Sequence, residues 1–337
     1  MKILYVEDEL SKNVDRIVRL FADYLSKKQR KALESLIGNE SSFRIDLEEV
    51  KSIVESTNVI EVEWRFPDAL RKIIYCANRY DLFVIDRNLS EQDYDCDEVE
   101  HIDPSYNKNL YETYFGREGD YFLHRLIRNI DVIRKFFFLT AYSAADELRN
   151  SEDIKTLIDL GGFKTLNFIE KGNKSHIERL QYVMKNSSAI SLRATNTIYI
   201  SILEKYLGEE AVDGFLKVLG EESDVENFVD ILGRVRNAYQ QILKECAERI
   251  PHMKEYCLNE HGNIILGKET IYGLKNDRHI NEIRKNFFFS IKTIASDLSS
   301  HRQLGEDKPT IEAINALIYQ LKDMILWFSD ICKKYPK

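Results

Sequence analysis

No apolar run in this chain approaches the roughly 18–20 residues that a membrane-spanning helix needs, so an α-helical membrane protein is not expected. The opening stretch MKILYVEDEL is too acidic, and its apolar part too short, to read as a secretory signal. The five cysteines, at 76, 96, 246, 257 and 332, include no Cys-x-x-Cys pair. An odd, unpatterned set argues against a disulfide framework and reads as reduced thiols in the cytoplasm. No Gly-rich phosphate loop and no helix-turn-helix signal stands out. A basic excess is also missing. Residues 1–186 carry 28 basic against 34 acidic side chains, and 187–337 carry 20 against 22, for a net charge of −8. Neither half has the charge of a DNA-binding module.

What is present is a chain of 337 residues, 44% hydrophobic and 31% charged, enough for two domains with real cores. Its N-terminal half alternates strand and helix patterns. Ile3 to Val6 is a short apolar run, followed by Val14, Ile17, Val18, Phe21 and Leu25 at helical spacing. That helix is expected to continue through Lys27–Lys31 towards Leu36. Residues 58–64 alternate as a strand, and 67–80 read as a helix with Pro67 in its first turn. The run 81–86 is a third strand, 117–130 a helix and 134–143 a buried strand. Residues 143–162 read as a helix stopped by a Gly pair. Residues 166–172 form a fifth strand, and 175–186 a fifth helix. Five such strands imply a parallel sheet covered by helices on both faces.

Ligands of such sheets bind beyond the carboxyl ends of the strands. Those ends carry Glu7 and Asp8, then Asp86, then Thr140 and Ala141, and last Lys171. Three crowded carboxylates repel one another unless a cation neutralises them. An all-oxygen donor set suits Mg²⁺. A carboxylate so held can accept a phosphoryl group, and a nearby hydroxyl and ammonium can bind the new oxygens.

The segments YVEDE, DLFVIDRNL, FFFLTAYS and FIEK resemble the motifs of the receiver domain of two-component response regulators, over roughly residues 1–186. The resemblance implies a flavodoxin-like fold of five strands and five helices. It implies that Glu7 and Asp8 hold Mg²⁺ and that Asp86 is the phosphoacceptor, fed by a sensor histidine kinase or phosphotransfer protein. It further implies that Asn88 offers its backbone carbonyl to the metal. Thr140 is then the switch hydroxyl, Ala141 the small residue after it, and Lys171 the partner of the phosphoryl group. Tyr142 stands where it can move with the switch. The chain departs from the family pattern in three places. There are insertions near 26–57 and 90–116, the second acidic and tyrosine-rich, and Gly172 follows Lys171 where the family has proline. The insertion after Asp86 either caps the site against a kinase or supplies partner specificity.

From 187 onward the pattern is helical, giving an expected all-helical output domain over 187–337. Phe287, Ile291, Ile294 and Leu298 share one face, and Ile311, Ile314, Ile318, Leu321, Ile325, Phe328 and Cys332 form a heptad seam. The seam suits either a bundle core or a helix pair between subunits. His252, Cys257 and His261 match no zinc spacing and read as a polar connection. The helix order, with Ser-Ser-His at 299–301 before the last helix, is loosely similar to the HEPN helical family over 190–335. Ribonucleases of that family carry an arginine where this chain has Ile294, Ala295 and Ser296. RNA cleavage would therefore need His301 with Arg234 or Arg236 from another helix. Three functions follow: a phosphorylation-switched regulator signalling through a helical domain to a protein partner or to a second copy; a regulated ribonuclease; and an unphosphorylated receiver-fold adaptor. Nothing implies a membrane partner. The only break between the halves is expected at 185–193.

Overall fold

Five strands, β1 (Lys2–Val6), β2 (Ile60–Glu63), β3 (Tyr80–Asp86), β4 (Phe136–Thr140) and β5 (Phe168–Glu170), form one parallel sheet in the order β2-β1-β3-β4-β5. This order is compatible with a flavodoxin-like arrangement. The structure is a computed structural model and describes residues 2–39, 45–89, 93–126, 135–141, 165–220, 228–265, 268–297 and 309–337. The helix expected at 143–162, the end of the helix expected at 117–130, and Tyr142, Leu298 and His301 lie outside the described residues. Two compact units divide the chain, Met1–Thr195 and Asn196–Lys337.

The continuous apolar runs are explained by burial on both sides of the sheet. Ile3, Tyr5, Leu82, Val84, Phe137 and Leu139 enter one core. That core is covered by α1 (Val14–Leu20), α2 (Lys27–Asn39), α3 (Leu47–Glu55), α8 (Lys174–Asn186) and α9 (Ser188–Thr195). Leu4, Val6, Phe83, Ile85, Phe136 and Phe138 enter the other. Over them lie α4 (Phe66–Cys76), α5 (Cys96–Ile102), α6 (Lys108–Tyr114) and α7 (Glu118–Leu126). The first expected insertion is thus α2 and α3, anchored by buried Leu33, Val50 and Val54. The second holds α5 and α6, anchored by Val99, Ile102, Tyr106 and Tyr114.

The helix expected to run from Val14 towards Leu36 is two helices. Phe21 and Leu25 are buried as the spacing predicts, but the chain turns between them. Ser26 then starts α2: its N–H donates to Gln29 Oε1 at 2.8 Å, and Gln29 N–H donates to Ser26 Oγ at 3.3 Å. That reciprocal cap is a local start signal that hydrophobic periodicity does not reveal.

The stretch expected to break the halves is itself helical. In α9, Ile190 joins the sheet core, Ser187 just before it donates to Asp81, and buried Arg193 donates from Nε to the Asn58 carbonyl at 2.5 Å. These ties hold residues 187–195 to the first unit, so the division falls at 195/196 and not at 186/187.

The second unit consists, among the described residues, of α10 (Thr197–Leu207), α11 (Glu209–Gly220), α12 (Phe228–Arg249), α13 (Met253–Cys257), α14 (Lys268–Asn276), α15 (Glu282–Ile291) and α16 (Ile311–Lys334). In α16 the expected seam is buried except at its first position, where Ile311 is 38% exposed. Leu317, Met324, Trp327 and Ile331 are buried as well. A face that wide is the core of a bundle within one chain, whereas a helix pair needs only a narrow stripe. In α15 the inward residues are Phe288 and Ile291, not Phe287. Phe288 packs edge-on against Tyr239 and Trp327. Beyond Ile291 the helix widens to π turns over Lys292–Asp297, which shifts the spacing expected for Ile294. No described helix is long and apolar enough to cross a membrane.

Candidate functional site at the strand ends

Register brings the acids together. Val6 lies beside Ile85 in the sheet, so the next residues on each strand, Glu7 and Asp86, leave the same edge side by side. The Glu7 N–H donates to the Glu63 carbonyl at 3.0 Å and extends the ladder by one bond. Candidate ligand oxygens of Glu7, Asp8 and Asp86 all lie within 4.8 Å of one another, and all three residues are buried. Among the described residues this is the one such grouping of metal-ligating side chains.

Lys171, just past β5, donates to Asp86 Oδ2 and, at 3.4 Å, to Glu7 Oε1. Its own N–H donates to the Thr140 carbonyl at 2.8 Å, which seats the lysine opposite the carboxylates despite Gly172 after it. Thr140 ends β4 and is buried at the same edge. Exposed Asn88 lies two residues beyond Asp86, and its N–H donates to Asp86 Oδ1 at 3.4 Å.

Three further groups belong to this site: Arg16 and Asn13 lie outside the quoted motifs, and Tyr5 lies inside YVEDE with no role read for it from sequence. Arg16 Nη1 donates to Glu7 Oε2 at 2.7 Å, Asn13 Nδ2 to Glu7 Oε1 at 3.1 Å, and the buried Tyr5 hydroxyl lies 3.5 Å from Glu7 Oε2. Asn13 and Arg16 sit three residues apart at the start of α1, on its sheet-facing side. A polar pair at that spacing, next to an apolar stripe, is the signal that could have found them. Both oxygens of Glu7 are therefore occupied by protein donors, whereas Asp86 takes the ammonium on one oxygen and the weak Asn88 contact on the other.

The electrostatics follow from this crowding. Burial pushes the Asp86 carboxyl well above the usual carboxylate range, the adjacent charge of Glu7 adds to the shift, and Lys171 opposes it. Burial likewise raises the Tyr5 phenol, with Glu7 and Asp86 adding to the effect. Three carboxylates meet here, with the Lys171 ammonium on Asp86 and Glu7 and the Arg16 guanidinium on Glu7. The all-oxygen chemistry of the set fits a hard divalent cation.

A second group of buried acids lies on the other side of Asp86. Arg87 Nε and Nη2 donate to Asp120 Oδ1 and Oδ2 at 2.8 and 2.7 Å, a buried bidentate pair. Glu118 is fully buried and accepts from Leu89 N–H at 2.9 Å, Tyr94 OH at 2.7 Å and Gly116 N–H at 2.9 Å. Acids opening a helix read in sequence as ordinary first-turn residues, so Glu118 and Asp120 gave no functional signal.

In the helical unit, Arg234 and Arg236 line a shallow polar depression with Asp230, Asn237 and Gln240. His252 and His261 are exposed and face Glu255 and Glu260.

No protein-family model matches this chain, and no match was found among curated proteins or solved structures.

Proposed function

We propose that the chain is a phosphorylation-switched regulator: a receiver-like unit of flavodoxin-like fold that accepts a phosphoryl group on Asp86 and signals through its helical unit. The observation that carries this reading is the meeting of Glu7, Asp8 and Asp86 at one sheet edge with Lys171 on Asp86. Three buried carboxylates whose oxygens lie within 4.8 Å of one another repel unless positive charge is brought to them.

In this reading Asp8 and Asp86, with Glu7 beside them and the Asn88 carbonyl, hold Mg²⁺. When bound, the ion supplies the positive charge that the three carboxylates and the incoming phosphoryl oxygens require. The chain's own groups do the rest. Lys171 favours the ionised, nucleophilic form of Asp86. An Asp86 oxygen attacks phosphorus, and the phosphorus–nitrogen bond of a donor phosphohistidine breaks with its electron pair leaving on the imidazole. Lys171 then shifts from the carboxylate to a phosphoryl oxygen, and the Thr140 hydroxyl donates to another. The donor is a sensor histidine kinase or phosphotransfer protein. The output is a protein partner or a second copy of the chain, reached through the helices of 196–337.

The test is Mg²⁺-dependent labelling by a small phosphodonor such as acetyl phosphate. Labelling of the wild type and its loss in Asp86→Asn are the expected outcomes. A wild type that takes up neither a phosphoryl group nor beryllofluoride at millimolar Mg²⁺ sinks the reading and leaves an adaptor. For the output, sedimentation with and without beryllofluoride should show a changed mass or shape, and Thr140→Ala should blunt that change while Asp86 stays occupied.

A further inference from the structure

The loop that follows Asp86 is gripped from outside the sheet. Gly119 N–H donates to the Arg87 carbonyl at 3.0 Å. A Cβ on Gly119 would stand 2.9 Å from the Phe138 ring, 3.0 Å from Arg87 Cα and 3.1 Å from the Asp86 carbonyl oxygen. Only glycine allows the first turn of α7 to lie this close to the backbone of residues 86–87. The side chains on either side of Gly119 complete the grip, Asp120 on the Arg87 guanidinium and Glu118 on the Leu89 N–H. Residues 87 and 89 are thus both held by the segment Glu118–Asp120.

The grip continues into the tyrosine-rich helices. The second oxygen of Glu118 accepts from Tyr94 OH and from Gly116 N–H, on the two sides of α5 and α6. Tyr121, the residue after Asp120, packs on Tyr106, Tyr114 and Phe66 and donates to Asp103 at 2.6 Å. A buried ion pair is no stronger than well-packed apolar side chains, but its bidentate form fixes orientation. Arg87 follows Asp86 directly in the chain, and its side chain and backbone are both bound to the first turn of α7. Any movement of the 86–89 loop must then move the first turn of α7 or break the Arg87–Asp120 pair.

Resting on the phosphoacceptor reading of Asp86, we propose that Arg87, Glu118 and Asp120 are positioning residues that carry the state of Asp86 into α5 and α6. The tyrosine-rich insertion is in that case a state-reading surface built onto the site, a route separate from the Thr140 switch.

The test uses the full chain with Mg²⁺ and beryllofluoride. Fluorine NMR reports occupancy of Asp86, and amide exchange by mass spectrometry reports the segment 93–126. In the wild type, occupancy is expected to change exchange in that segment at least threefold. In Asp120→Asn, brought to the same occupancy at higher beryllofluoride, that change is expected to vanish, and Arg87→Gln should behave alike. Glu118→Gln, which keeps the shape and one acceptor, should retain part of the response and serves if either charge variant fails to fold. An occupied wild type with unchanged exchange over 93–126, or an Asp120→Asn protein with its response intact, overturns the proposal. A wild type with no bound fluorine signal overturns the phosphoacceptor reading and this proposal with it, an outcome distinct from the first two.

Discussion

Two groups of buried acids lie on either side of the Asp86 loop, and they are built differently. Asp103, Glu118 and Asp120 are each matched. Asp103 takes Tyr121 OH at 2.6 Å, Ser105 Oγ at 2.7 Å and the Arg125 guanidinium at 2.7 Å. Burial alone would raise its pKa, but the hydrogen bonds from Tyr121 and Ser105 and the charge of Arg125 outweigh it and hold the carboxyl below its ordinary value. Asp86 is more deeply enclosed and shifts the other way, first through burial and then through the adjacent charge of Glu7. Supply adds to the difference: Asp103 is met by two hydroxyls and a guanidinium, whereas Asp86 has one ammonium shared with Glu7 and the weak Asn88 contact. Burial of an acid therefore says little about function, while a deficit of donors at a strand end points to a ligand.

The largest expected effect tests the matched group. Asp103→Ala leaves the Tyr121 hydroxyl buried without its acceptor and removes the partner of Arg125. The loss should be about 2–4 kcal/mol, a fall in Tm on the order of 5–10 °C. A melting curve like that of the wild type would show that Asp103 is not a structural acid and would collapse the contrast.

Next comes the opposite sign at Asp86. Asp86→Asn removes one of three mutually repelling charges at little change of shape. The metal-free variant should melt above the metal-free wild type by roughly 2–4 °C, and the gap should shrink with millimolar Mg²⁺. Equal or lower melting in chelator would mean that Lys171 and Arg16 already balance the edge.

Arg16 gives a smaller effect that sharpens the same point. Its guanidinium, held on Glu7 at 2.7 Å, opposes any added cation. Arg16→Gln keeps a donor for Glu7 and removes the charge, so divalent-metal affinity by calorimetry should rise roughly three- to tenfold. The exposed Arg19 on the same helix is the control, and its Gln variant should bind metal as the wild type does. Unchanged affinity in Arg16→Gln would make it a purely structural partner of Glu7.

The sheet, its strand ends and the acids on them were legible because a buried parallel strand writes itself as a continuous apolar run, and a carboxylate at its end interrupts the pattern. Glu7, Asp8, Asp86 and Lys171 could all be named that way, and the fold brings them together. Contacts between elements were not legible. Arg16 reaches Glu7 only because α1 folds back on β1, and Asp120 reaches Arg87 across 33 positions. The end of the first helix was misread because a reciprocal Ser26–Gln29 cap outweighs a periodicity that carries on through it. The end of the first unit was misread because Ser-rich residues 187–191 look like a break, while Ile190 and Arg193 fasten them to the sheet.

The smallest effect is a difference in pH dependence, and the two signs can be worked out separately. Asp103 has a folded pKa below that of the unfolded chain, which lies near about 3.9. Its contribution is full above that value and is lost as pH falls through the folded pKa. Asp86 has a folded pKa above the unfolded one, so the folded state holds its proton longer. Its contribution is full below about 3.9 and is lost as pH rises through the raised value. Melting temperatures in chelator should therefore separate the two acids. The deficit of Asp103→Asn should be constant across neutral pH and narrow below about pH 4. The advantage of Asp86→Asn should be near zero at about pH 4 and grow towards neutrality, where the wild type must ionise a carboxyl that the asparagine lacks. Differences that run in the same direction, or an Asp86→Asn advantage flat in pH, would place both acids in one class and remove the physical ground for treating the strand ends as a site.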